Sequence, residues 1–313
     1  MPANEQTSIY YGWKIVLAIL VQLTFTSGLS FYNHSIYLNA LAENPAFDVQ
    51  SVSIAVSVFF LSGGVTGLFV AKWVQDYDPR YTIVGGAVVA GLSLSSLPFL
   101  SNMWQLYFVY AVFGSGFTAS AILPATTLVA RWFRKRRAMA LSVASTGLSL
   151  GGVVLTPLSV LLVDSLGFTT AAPILGLLFL LGVIPVAVIW LRPDPASMGL
   201  VIDGGEISEE VQPDKEGSDQ SVEQELAVSF HKAINTRFFW GVSLGYIFLM
   251  MAQVGGIAHQ YGLAREQLDE AQTAIAVAIL PVASIVGRLI GGWVVERMSI
   301  QLFAIGMMVL KAT

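Results

Sequence analysis

The sequence predicts an all-α, polytopic membrane protein. Of its 313 residues 55% are hydrophobic and 12% charged, where a soluble domain carries roughly 25% charged residues. Apolar runs recur at the length a helix needs to cross about 30 Å of hydrocarbon at about 1.5 Å per residue. Lys and Arg, finally, gather on alternate loops, which is how short cytoplasmic loops are marked.

The spans follow in order. The first runs from about Ile15 to Leu38 and the second from Ser51 to Val70, parted by the Asn44-Pro45 breaker, and neither contains an acid. Between Arg80 and Arg131 there is no formal charge, a stretch long enough for two spans; Pro98 with Ser101-Asn102 divides it into Tyr81 to Leu100 and Trp104 to Ala130. The fifth (Ala138 to Val163) and sixth (Thr170 to Leu191) flank the turn from Asp164 to Phe168. The seventh (Phe238 to Ala258) and eighth (Ala271 to Val295) follow a polar stretch, and a ninth begins near Ile300 and is expected to be cut short at Thr313. The first span is too long for a signal peptide and shows no small-residue cleavage site before Asn39.

Residues 192–237 hold ten of the twenty acids and four of the sixteen bases. With Pro193, Pro195, Pro213 and Gly204-Gly205 they read as a solvated linker, of which Val222 to Ile234 has the pattern of an amphipathic surface helix. The expected organisation is residues 1–191 as a six-helix bundle, 192–237 as a cytoplasmic acidic linker and 238–313 as the start of a second bundle. Thirteen Lys and Arg fall in the segments sharing a side with the N-terminus and only Arg265 in the opposite loops, which predicts a cytoplasmic N-terminus in a plasma (inner) membrane. The absence of cysteine and the scatter of His34, His231 and His259 remove thiol chemistry and leave no zinc-like cluster; no cofactor, metal or nucleic-acid partner is expected. A membrane-embedded enzyme would need a clustered acid/base constellation, which the sequence does not offer.

A shift of 221 residues brings Val65-Thr66-Gly67-Leu68 onto Val286-Gly287-Arg288-Leu289 and Val74-Gln75-Asp76 onto Val295-Glu296-Arg297, the kind of internal repeat from which transporters are built. The loop after the second span, Ala71 to Arg80, resembles the G-x-x-x-D-R-x-G-x-R signature of the major facilitator superfamily, with Gln75 in place of the signature's Asp and Asp78 in place of its second Gly; Gly292-Trp293-Val294-Val295-Glu296-Arg297 is the second copy. Two stretches resemble the monocarboxylate transporter and oxalate/formate antiporter branch: Ala130-Arg131-Trp132-Phe133-Arg134-Lys135-Arg136-Arg137-Ala138-Met139-Ala140, leading into Gly147, Gly151, Gly152 and Pro157, and Arg192-Pro193-Asp194-Pro195 with Met198-Gly199-Leu200 and Asp203-Gly204. The resemblance implies a complete N-terminal six-helix bundle, an incomplete C-terminal one, and alternating-access transport of a small organic anion with proton or counter-anion coupling. It implies gating roles for Asp76, Arg80, Glu296 and Arg297. A truncated, non-transporting membrane remnant or partner protein is the alternative, since the family has twelve spans.

Polar groups inside hydrocarbon are functional candidates by default. Here they are Gln22, Tyr32, Asn33 and His34 in the first span, Gln253, His259 and Gln260 in or just beyond the seventh, and Ser284 and Arg288 in the eighth; no acid lies in any of the eight. A guanidinium stays charged and pairs with planar anions, and in the related carriers an acid stands where Ser284 does. Two readings of Arg288 stay open: a partner for substrate carboxylate, or a brace snorkelling to the interface. His34 and His259, near the outer ends of their spans, are either protonation switches or interfacial residues. The Arg131 to Arg137 cluster is an anchor to an anionic leaflet, with gating contacts as the second reading. Gly147, Ser149 and Gly151 make a face on which another helix can approach closely.

Overall fold

The computed structural model describes residues 10–204, 234–267, 270–295, 297–299, 302–303 and 306–307. They form two units, residues 1–205 with 278–313 and residues 206–277. Six stretches are helical, long and apolar enough to cross a membrane, and the described residues contain no strand.

Helix α1 (Tyr11–Ser27) passes through a π-helical turn, Gly28–Tyr32, into α2 (His34–Ala42). This first span is therefore longer than the expected Ile15 to Leu38 and irregular in its middle. Helix α3 (Val49–Asp76) is N-capped by Asp48, whose carboxylate accepts the Ser51 N–H at 2.8 Å. Helix α4 (Pro79–Ser96) starts with Pro in the position where a missing N–H is harmless, capped by Asp78. The fourth span, expected to be continuous, is broken into α5 (Met103–Ser120) and α6 (Ile122–Trp132) at Ala121. The reason is Pro124, which supplies no N–H to the carbonyl four residues back and crowds it; that carbonyl belongs to Ser120. Helices α7 (Arg137–Leu166) and α8 (Phe168–Ile189) join at Gly167, whose φ of 73° suits glycine.

The bundle packs α1 on α7, α3 on α5, and α4 on both α5 and α8. Lipid tails are as apolar as leucine, so contact between spans depends on close van der Waals fit. Helices α1 and α7 approach closely: a side chain at Gly147 would strike the Leu20 carbonyl, and one at Gly151 would lie 2.6 Å from the Gly28 nitrogen. The expected small-residue face of the fifth span is thus filled by the backbone of the first. Large side chains complete the core, with Tyr37, Phe59, Tyr110, Phe113 and Trp132 fully buried. Leu61, Leu68, Phe69 and Phe108 point outward, each at least 70% exposed, as surfaces facing hydrocarbon must.

At the end bearing the Arg131 to Arg137 cluster, called the basic end below, side chains from one span cap the unsatisfied carbonyls of another. Arg131 Nη2 donates to Val74 O at 2.6 Å, and Arg80 Nη1 to Leu191 O at 3.3 Å. Tyr10 and Tyr11 hydroxyls donate to Trp132 O (3.1 Å) and Trp190 O (3.0 Å), and Trp132 Nε1 to Arg192 O (3.1 Å).

The later helices are α9 (Arg237–Gln267), with a described apolar stretch Phe239–Gln253, and α10 (Glu270–Val295), with Pro281–Val295. The amphipathic stretch Val222 to Ile234 lies almost entirely outside the described residues, as does most of the ninth span.

Candidate functional site

Polar side chains gather in two places in the first unit. One surrounds the π-turn. Such turns displace the residues after them relative to a regular helix and are frequent at functional sites. Beyond this one, Asn33 is fully buried and its amide donates to Ser159 Oγ of α7 at 2.6 Å and to Tyr37 Oη at 3.2 Å; Tyr37 in turn donates to Leu29 O at 2.8 Å, inside the turn. Asn33 therefore fastens the irregular backbone to α7. Tyr32 is half-buried, its ring against Gly152.

His34 differs from expectation in place. The span extends past it to Ala42, so His34, although it opens α2, lies within the bundle and not at the end of the span. Its ring is 7% exposed, with ring centroids of Phe59 at 4.4 Å, Phe60 at 5.7 Å, Tyr110 at 6.1 Å and Phe113 at 6.2 Å. Neither ring nitrogen has a hydrogen-bond partner among the described residues, nor does the Tyr110 hydroxyl. Burying such groups without partners is costly, which marks this aromatic box as a place where polarity is retained at the expense of stability.

The second place joins α7 to α10. Ser284 Oγ accepts from Arg288 Nε at 3.3 Å and from Ser149 Oγ at 3.0 Å. Lower on the same helices, Gly292 is buried against Ser142 of α7. Ser149 is itself fully buried, so the guanidinium on α10 is positioned through a serine pair by the fifth span. The sequence singled out Ser284 and Arg288 as chemistry and Ser149 only as a small packing residue; two positions from Gly147 and from Gly151, it lies on the other side of α7 from the glycines that meet α1, and there it meets α10.

The loop after α3 uses its charges differently from one another. Arg80 Nη2 lies 2.6 Å from Asp78 Oδ2, and Arg80 Nε donates to the same oxygen at 2.7 Å; Asp76 is exposed at the end of α3 and makes no polar contact among the described residues. Arg297 stacks over Trp293, 3.9 Å from the ring centroid, and donates to Trp293 O at 3.3 Å. Gln253 is exposed on α9. The side chain of His259, also on α9, and Glu296 lie outside the described residues.

A residue the sequence reading named without a role is Gln22. Its amide nitrogen donates to Ser120 O, the carbonyl that Pro124 releases, so a polar side chain in the first span satisfies the break in the fourth. Pro124 alone announces the freed carbonyl, but nothing in the sequence names Gln22 as its partner.

Six membrane-length helices, broken and π-bulged spans, and polar groups fixed inside an apolar bundle mark a multi-pass membrane protein. The chain matches the Major Facilitator Superfamily over residues 20–312 and belongs to that family. It is 26% identical over 198 residues to an MFS-type transporter of Gibberella moniliformis, covering 61% of this chain and 45% of the relative. It is 30% identical over 151 residues to a probable transporter, MCH2, of Saccharomyces cerevisiae (46% and 31%), and 22% identical over 271 residues to a probable hexose phosphate transport protein of Chlamydia trachomatis (83% and 59%). Its fold is similar, with a TM-score of 0.57 at 17% identity, to that of a bacterial homolog of the human lysosomal transporter Spinster, over 93% of this chain and 64% of that one. The chain thus spans about a third to two thirds of the length of these proteins.

Proposed function

We propose that the protein carries a small organic anion, of the monocarboxylate kind, across the plasma (inner) membrane by alternating access, with its N-terminus in the cytoplasm. In this reading residues 1–191 form one moving bundle, 192–237 the connection, and the second bundle starts at residue 238. The observation that supports it is the Ser149, Ser284 and Arg288 arrangement: a permanently charged guanidinium in an apolar helix, oriented by hydroxyls from two helices. Charged groups at such depth are retained for the ions they meet. His34 is the group on which proton coupling would rest. A second reading, that the anion is an organic phosphate, is favoured by the likeness to the Chlamydia trachomatis hexose phosphate protein across 83% of this chain.

The test is binding, normalised to folded protein, of a carboxylate, its neutral amide and a sugar phosphate to the native chain and to Arg288→Lys and Arg288→Ala. Loss of a charge-assisted hydrogen bond weakens affinity about tenfold to a hundredfold. The loss should fall on the carboxylate, or on the phosphate if the second reading holds, and spare the amide. Equal losses for all three ligands, or unchanged affinity with poor yield of folded protein, would leave Arg288 as a structural brace.

A further inference from the structure

The chain does not leave the first bundle where its last span ends. From Leu191 to Gly204 it runs across the basic end as a strap held at both ends. At the near end Leu191 is buried and its carbonyl accepts from Arg80, while Arg192 O accepts from Trp132 Nε1. Pro195 is buried, Asp194 closes a turn by accepting the Ser197 N–H at 2.7 Å, and Gly199 reverses direction at φ 67°. At the far end stands Asp203. Its carboxylate accepts the backbone N–H groups of Lys135 at 2.7 Å, Arg134 at 3.0 Å and Arg136 at 3.5 Å.

Two features show that this contact is built. The three amides immediately precede α7, where unsatisfied N–H groups and the helix dipole favour an anion. Asp203 also adopts φ 61°, the one positive value for a residue other than glycine among those described. Aspartate tolerates that conformation better than most residues, and such conformations persist where the surroundings impose them.

We propose that Asp203 is a clasp that makes residues 191–204 a fixed part of the first bundle, so that the connection to the rest of the chain departs from the foot of α7 and not from the foot of α8. Opening the clasp frees the nine residues 196–204 beyond the buried Pro195, adding up to about 30 Å of extended chain to that connection. The clasp is a device for setting tether length, and it stands whether the substrate is a carboxylate, a phosphate or neither.

Hydrogen exchange on the full chain in lipid nanodiscs tests it without any substrate. Asp203→Ala should speed exchange at the amides of Arg134, Lys135 and Arg136 about tenfold or more. Asp203→Asn, which keeps an acceptor oxygen but not the charge, should have a smaller effect, and Asp194→Asn, on the same strap, none at these amides. A nitroxide on Val201→Cys, in a chain that has no other cysteine, should gain mobility in parallel. Unchanged exchange at the three amides in Asp203→Ala would overturn the proposal. So would loss of protection along the whole of α7, because Asp203 would then be holding the bundle together and not the strap.

Discussion

The amide of Gln22 donates to the carbonyl of Ser120, one side chain of the first span supplying the hydrogen bond that Pro124 withholds from the fourth. Both residues are fully buried, so the carbonyl has no recourse to water. Gln22→Leu should therefore destabilise the bundle by about 1 to 3 kcal/mol. Pro124→Ala returns an N–H to the helix, and in that background Gln22→Leu should cost much less. Equal costs in the two backgrounds, measured by unfolding in mixed micelles, would show that the break and the glutamine are independent.

Where α1 and α7 touch, size alone decides. Gly147→Ala places a methyl group against the Leu20 carbonyl and should destabilise by about 1 to 3 kcal/mol, the usual penalty for forced expansion of a packed core. Gly64→Ala meets nothing within 4 Å and should be neutral or slightly stabilising. Thermal inactivation of the two variants side by side distinguishes a specific contact from a general sensitivity of membrane helices to substitution.

The clasp has a pH signature. Partial burial would raise the Asp203 carboxyl, but the amide hydrogen bonds from Lys135, Arg134 and Arg136, with the charge of Lys135, outweigh it and hold the group below its ordinary value. Because the folded group is the stronger acid, its contribution is complete above the ordinary carboxylate value of about 3.9 and is lost as pH falls through the depressed one. A nitroxide at position 201 should keep the same mobility from about pH 8 to about pH 5 and be released only below about pH 4. Release near neutrality would mean that a group other than Asp203 controls the strap.

The proposed orientation is checked with single cysteines. In intact cells an impermeant maleimide should label Asn44→Cys and leave Ser218→Cys untouched until the membrane is opened. The reverse pattern would turn the protein over.

Much of this architecture was legible because the bilayer enforces it: apolar length and loop charge locate spans without knowledge of packing, and the expected ends of the first-bundle spans fall within six residues of those observed, the largest gap being Val70 against Asp76. What stayed hidden depends on neighbours. The break at Ala121 was announced by Pro124, but an apolar run absorbs one proline without losing its hydrophobicity, so the span read as continuous. The π-turn has no such local marker; it is defined by how Asn33 and Tyr37 bond to Ser159 and Leu29, which lie elsewhere in the fold or about two turns away. His34 was misplaced for the same reason, since its aromatic surroundings come from α3 and α5. Asp203 stood out only as part of a resemblance, and nothing in its immediate sequence names the amides of residues 134–136 as its partners.

The cluster from Arg131 to Arg137 contains five bases that a charge count treats alike. The structure gives them different employments. Arg131 turns its guanidinium inward onto Val74, Gln75 and Tyr77 carbonyls, so its charge is spent on a helix end. Arg134, Lys135 and Arg136 offer their backbone to Asp203 and leave their side chains exposed, so the hydrogen bonds of the clasp come from the main chain of this loop. An insertion machinery reading the nascent chain meets five positive charges, whereas a lipid headgroup meeting the folded protein finds fewer. The signal that orients such a protein during synthesis and the surface it later shows the membrane are thus distinct properties, and they can be altered separately at neighbouring residues.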